Sequence, residues 1–258
     1  MKRFCCFLAS ALLLLSSFST FATGVSGEAE HHFYIRRALD HAPATTDPAF
    51  EAAFGDRALY RDKAAHSAGE RRIYLTFDAG YENGNVAKIL DILEKENVRG
   101  SFFVLSHLIK SAPELVLRME KEGHLVCNHT AHHKNMARLG ETDFCAELSA
   151  LEEAYHALTG KKMAGFYRPP EGSFSVSNLA WAEKMGYKTV FWSLAYCDWN
   201  DSVAPKREKA IEILKKNTHM GAIVLLHPTS DINVSILGEM IEYWKGEGYT
   251  FHTLSEVS

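Results

Sequence analysis

From Arg71 onward the chain alternates short β-branched or aromatic runs with amphipathic ones, and this alternation limits the possible folds more than any other feature. "RIYLTF" (72–77), "GSFFVL" (100–105), "HLVC" (124–127), "AGFYRP" (164–169), "KTVFWS" (188–193), "GAIVLLH" (221–227) and "YTFHTL" (249–254) read as strands. Such residues suit a pleated, half-buried surface. Between them, "NVAKILDILEKENV" (85–98) puts apolar residues at 86, 89, 90 and 93, a helical spacing. Ser111 as N-cap, Pro113 in the first turn and Gly123 at the stop mark a helix over 111–123. Further helices are predicted over 141–160, 175–186, 206–217 and 232–248. Strand–helix alternation implies a parallel sheet covered by helices. Seven or eight such units in about 190 residues suit an α/β chain folded as a β/α barrel. A doubly wound open sheet is the structural alternative.

The first 70 residues lack this rhythm. Residues 1–24 carry Lys2 and Arg3, then an apolar stretch from Phe4 to about Phe18, then small residues. That is the layout of a secretory signal peptide, with cleavage expected after Ala22 and an uncleaved membrane anchor as the alternative. Residues 25–70 are polar and broken by "HAPATTDPAF" (41–50). They read as an irregular N-terminal extension with one short helix at about Ala49–Phe54, leaving 71–258 as the catalytic domain. Beyond the leader, Cys127, Cys145 and Cys197 make neither a disulfide framework nor a zinc knuckle. The net charge is −4, so no basic excess invites nucleic acid or an anionic membrane.

Several strands run directly into a reactive side chain. The strand at 72–77 delivers Asp78, that at 124–127 delivers His129 and His133, and that at 164–167 delivers Arg168. Asp198 follows the strand at 188–193, and His227 ends the strand at 221–226. In parallel β/α folds the C-terminal strand ends share one face, which carries the active site. Five sequence-distant segments therefore converge.

Each group has a plain alternative. His129 and His133, four positions apart, can aim both imidazoles at one ion from a helical turn or a tight loop, with His132 pointing elsewhere, or they are solvated loop histidines. Asp78 is a general base, a ligand or a helix N-cap. Arg168, stiffened by Pro169 and Pro170, is set to hold a carboxylate ionised, or is a surface arginine. His227 is a general acid or a satisfied core histidine. Tyr196 and Trp199 are candidates for a sugar-stacking wall, whereas Trp192 reads as core.

"TFDAG" (76–80), "HTAHH" (129–133), "RPPEG" (168–172), "DW" (198–199) and "LLH" (225–227), in this order, resemble the five motifs of the polysaccharide deacetylases, the NodB-homology carbohydrate esterases. The match spans about residues 71–254. "YLTFDAGYENG" (74–84), "RPPEGSFS" (168–175), "VFWSLAYCDW" (190–199) and the upstream "FYIRRALDHAPA" (33–44) look like the delta-lactam-biosynthetic de-N-acetylases of spore-forming bacteria. The resemblance implies a distorted (β/α) barrel of seven to eight parallel strands. It implies removal of acetyl from N-acetylmuramic acid in spore-cortex peptidoglycan.

Carried over to this chain, the resemblance makes Asp78 the base and His227 the acid, tuned by Arg168 and Asp198 respectively. His129 and His133 become ligands of a divalent metal, zinc or another transition metal. Tyr81, Tyr196 and Trp199 flank the sugar, and a backbone N–H near Tyr81 receives the oxyanion. The family's usual second Asp is Ala79 here, which weakens the metal site because an open catalytic site normally keeps three protein ligands. The branch it resembles often lacks that Asp too. The partner is a peptidoglycan glycan strand, with no nucleic acid or protein partner implied. Two other readings remain: a catalytically weakened glycan-binding module, and a deacetylase of an N-acetylglucosamine polymer.

Overall fold

The computed structural model describes residues 28–38, 40–200 and 202–257; the leader expected over 1–24 lies outside the described residues. Among the described residues no helix is long and apolar enough to cross a membrane. The elements run in chain order: β1 (His31–His32), α1 (Pro48–Phe54), β2 (Ala58–Leu59), α2 (Lys63–Ala68), β3 (Arg72–Ala79), α3 (Asn85–Lys95), β4 (Ser101–Val104), α4 (Ser106–Ser111), α5 (Pro113–Lys121) and β5 (Leu125–Asn128). Then come α6 (Glu141–Thr159), β6 (Ala164–Tyr167), β7 (Ser173–Phe174), α7 (Val176–Lys184), β8 (Lys188–Val190), α8 (Arg207–Asn217), β9 (Ala222–Leu226), α9 (Asp231–Gly246) and β10 (Thr250–His252).

The main sheet is parallel throughout and curls into a barrel-like trough, as the alternation predicts. β3 is central: β9 pairs along one edge, while β10 and β4 share the other, opposite residues 72–74 and 76–79 respectively. From β4 the order continues through β5, β6 and β8. Beyond β8 the chain bends over to β9: Ser193 N donates to Ile223 O at 2.9 Å and Leu225 N to Leu194 O at 2.9 Å. These bonds bring the far side of the sheet back to β9.

Side-chain parity along β3 decides what reaches the site. Successive strand residues point to opposite faces. Ile73, Leu75, Phe77 and Ala79 join the large core cluster with Val86, Ile89, Leu90 and Leu93 of α3. Tyr74 joins an interior cluster with Phe103, Cys127, Val190 and Ile223. Thr76 and Asp78 share the parity of Tyr74, so Asp78 stands at the upper end of the barrel interior.

Two local expectations change. The segment expected as one helix over 111–123 is split: Ser111 closes α4, and Ala112 precedes Pro113, the first residue of α5. The extension is also less irregular than its composition suggests. β2 pairs in parallel with β8, and Phe33, Phe54 and Tyr60 build a cluster with Phe174, Leu179 and Phe191. Burial of these aromatics supplies the order that polar spacing hid.

Candidate active site

Asp78, His129, His133 and His227 line one cavity of about 500 Å3 at the C-terminal ends of the strands. A larger hollow of about 590 Å3 opens near Arg57, Gly165 and Lys188, at the opposite strand ends, and contains none of these groups.

Arg168 is the most constrained side chain in the site and is fully buried. Its Nη1 donates to Asp78 Oδ1 at 2.7 Å and its Nη2 to Thr76 Oγ1 at 2.9 Å. Nε donates to Val190 O at 3.1 Å and Nη2 also to Phe191 O at 3.1 Å. The guanidinium carbon lies 4.1 Å from the Phe103 ring centroid. Burial pushes the Asp78 carboxyl up, but the charges of Arg168, then His129 and His227, outweigh it and hold the carboxyl below its usual range. Asp78 is therefore an ionised acceptor at neutral pH.

The two histidines sit on a pinned loop rather than a helical turn. Thr130 N donates to Asn128 Oδ1 at 2.9 Å, and His133 N to Thr130 Oγ1 at 2.9 Å. Thr130 and His133 both adopt left-handed backbone, at φ 76° and 55°, a conformation costly for such residues and concentrated at functional sites. His132 turns away as expected, its Nδ1 3.0 Å from Glu147 Oε1. His129 Nδ1 faces the Arg168 carbonyl at 2.8 Å. A carbonyl only accepts, so Nδ1 carries the proton and Nε2 keeps its lone pair. That lone pair lies 3.7 Å from Asp78 Oδ2, and the His133 ring centroid is 5.1 Å from that of His129. Burial pulls His129 down to about 4, against the charge of Asp78, so its imidazole is neutral at pH 7.

A neutral imidazole fixed through its other nitrogen is the form that binds a metal. The donor set thus fits a divalent cation through His129 Nε2 and the His133 ring. Among the described residues no group of three His, Cys, Asp or Glu side chains is arranged to hold an ion, and Ala79 is fully buried away from the cavity. Among the described residues, the cavity offers such an ion two imidazoles.

His227 faces the cavity with a quarter of its side chain exposed. Its Nδ1 contacts Asp198 Oδ1 at 2.7 Å, and its backbone N donates to Asp198 Oδ2 at 2.8 Å. Burial works against the imidazolium, but the hydrogen bond and charge of Asp198 prevail and raise His227 above its ordinary value. His227 is therefore not a satisfied core histidine: its imidazole, bound to Asp198 through Nδ1, lines the cavity with its proton affinity raised.

Tyr81 and Trp199, both exposed, line the cavity as expected. Tyr196 does not. It is buried, and its hydroxyl donates to Asn233 Oδ1. That bond turns Asn233 Nδ2 toward Asp198 Oδ2 at 2.6 Å and His227 O at 2.9 Å. Tyr196 thus supports the His227–Asp198 pair from below. The converse holds for Trp192, expected as core, which lines the cavity beside Glu171 and Gly172. Only the loss of strand alternation after Val190 could have signalled this.

One cavity thus gathers an ionised carboxylate held by arginine, a histidine whose proton affinity is raised by its aspartate partner, and two further imidazoles, an arrangement suited to hydrolysis of a carbohydrate N-acetyl group. The comparisons agree. Residues 65–190 match the family model described as polysaccharide deacetylase. The chain is 34% identical over 255 residues to the peptidoglycan-N-acetylmuramic acid deacetylase PdaA of Bacillus subtilis, covering 99% of this chain and 95% of that protein. The solved structure of Bacillus subtilis PdaA, a family 4 carbohydrate esterase, superposes with a TM-score of 0.83 at 35% identity, over 88% of this chain and 96% of that one. A family 4 carbohydrate esterase from Bacillus anthracis superposes with a TM-score of 0.71 at 33% identity, over 85% and 98% of the two chains. The chain belongs to the polysaccharide deacetylase (NodB-homology) family and is a peptidoglycan N-deacetylase.

Proposed function

We propose that the chain hydrolyses the 2-acetamido group of N-acetylmuramic residues in peptidoglycan, on the route to muramic delta-lactam in spore cortex. The observation that carries the reaction is the meeting of the Arg168-held Asp78 and the Asp198-held His227, at the ends of the paired strands β3 and β9, in one cavity. The muramic assignment is supported by near full-length similarity to PdaA and by the "GYENG" and "RPPEGSFS" stretches.

Asp78 takes a proton from water as its oxygen adds to the acetyl carbon. The oxyanion so formed accepts from the Tyr81 backbone N–H. His227 then gives its proton to the sugar nitrogen as the C–N bond breaks, releasing acetate and a free amino sugar. Tyr81 and Trp199 offer ring faces to the glycan. A divalent cation held by His129 and His133, zinc or another transition metal, would polarise the acetyl carbonyl and acidify bound water. The leader over residues 1–24 supports action outside the cytoplasmic membrane.

The test is acetate release from peptidoglycan fragments, with mass spectrometry assigning which sugar lost its acetyl, with and without chelator. Loss of acetyl from muramic residues, abolished by chelator and restored by zinc, is expected. Loss from glucosamine residues would reassign the substrate. Fragment binding without acetate release would make the chain a glycan-binding module.

A further inference from the structure

Residues 28–37 precede the 65–190 stretch matched by the family model, and none of them supplies a group to the chemistry above. Yet they touch three of the loops that do. His31 and His32 pair antiparallel with Phe174 and Ser173, and Phe33 N donates to Gly172 O at 2.9 Å. This fastens the turn that follows Arg168, in which Glu171 and Gly172 take left-handed backbone at φ 57° and 67°. Left-handed backbone at Glu171 persists only where the surroundings over-determine it. Glu30 accepts from Asn135 Nδ2 at 2.5 Å and Arg138 Nε at 2.8 Å, just past His133. Arg37 donates to Ala195 O at 2.8 Å, between Trp192 and Asp198.

Phe33 is the centre of this strap. Its ring stacks on Phe191 at 4.3 Å and meets Trp192 edge-on at 5.3 Å and 82°. A Cβ added at Gly172 would come within 2.9 Å of the Trp192 ring and 3.4 Å of Phe33 Cβ. Turn, indole and phenyl ring therefore fill one another's space without slack. Trp192 and Gly172 are cavity wall, whereas Phe33 is buried behind them.

We propose that Phe33 is a positioning residue for glycan binding: it holds Trp192 and the 169–172 turn in the wall that receives the sugar. The proposal rests on the reading that this cavity takes the glycan. Removing the Phe33 ring opens space behind the indole, so the wall loosens while Asp78 and His227, which Phe33 does not touch, keep their partners.

The experiment uses the full chain and a tetrasaccharide of alternating N-acetylglucosamine and N-acetylmuramic acid. For Phe33→Ala, KM and the tetrasaccharide Kd rise roughly tenfold with kcat and both limbs of the pH profile little changed, the signature of lost ground-state binding. Phe33→Leu restores most of the loss. In the cycle with Trp192→Ala, the double variant binds no more weakly than Trp192→Ala alone, because both act through one contact. A fall in kcat at unchanged KM and Kd, as loss of folded enzyme gives, overturns the proposal, as do additive effects in the cycle. If Phe33→Ala does not fold, Phe33→Val, which also leaves space behind the indole, decides: a raised Kd that is non-additive with Trp192→Ala supports the proposal, and an unchanged Kd ends it. Absence of acetate release by the unmodified chain would defeat the functional reading instead, and the Kd comparison would still decide the role of Phe33.

Discussion

Replacing Asp198 with Asn tests whether His227 is an acid by virtue of its partner. Asp198 is almost wholly buried and its two oxygens receive three donors: His227 Nδ1, His227 N and Asn233 Nδ2. A carboxamide has the same shape, one oxygen and no charge. With the charge gone, burial, the largest influence on His227, is no longer outweighed. A hydrogen-bonded opposite charge shifts a titrating group by about 1 to 3 pH units, so the alkaline limb of kcat/KM should move to lower pH by that amount. The rate well above neutrality should fall by roughly 10²-fold or more, within the range of general acid catalysis. The amide also faces at least one donor with an NH2 group, costing about 1–3 kcal/mol of stability. The assay is acetate release against pH for both proteins at matched folded concentration, with thermal melts alongside. An alkaline limb that stays in place would refute the claim that Asp198 keeps His227 charged.

The unmodified enzyme should show a bell-shaped pH–rate profile. Its alkaline limb lies above 6.5, because His227 is raised and deprotonates as pH rises, and its acid limb lies below 3.8, because Asp78 is lowered and protonates only as pH falls. A pH titration of kcat/KM checks both signs. His129→Ala and His133→Ala should each weaken zinc affinity by about 10-fold or more, the scale of losing ligand support, as measured by metal titration. Arg168→Met should destabilise by about 3–5 kcal/mol, because Asp78 is left buried and unpaired, as measured by urea unfolding. Tyr196→Phe should cost about 1 kcal/mol of stability with kcat reduced but KM unchanged, whereas Trp199→Ala should raise KM.

The constellation was legible because each member follows an apolar run at a strand end. Parallel strands share direction, so position along the strand alone placed Asp78, His129, Arg168 and His227 on one face. Parity was not legible where the strand ends early. β8 stops at Val190, and alternation no longer tells which of Trp192 and Tyr196 faces the cavity. α4 spans six residues, too few for a helical period to show. In the extension the short helix expected at about Ala49–Phe54 is present as α1, but the rest of its order was not legible: its strands are two residues long, and Phe33, Phe54 and Tyr60 meet Phe174 and Phe191, over a hundred residues away. The absence of a third ligand at position 79 was plain in the sequence, and the buried Ala79 agrees with it.

The central claim is that Asp78 and His227 act as base and acid on one acetamide. The most direct measurement is acetate release from the muramic-containing tetrasaccharide by Asp78→Asn and His227→Ala, each verified as folded and still binding the fragment. The account predicts that both variants bind but release no acetate above background. Release at the unmodified rate by either one would contradict it.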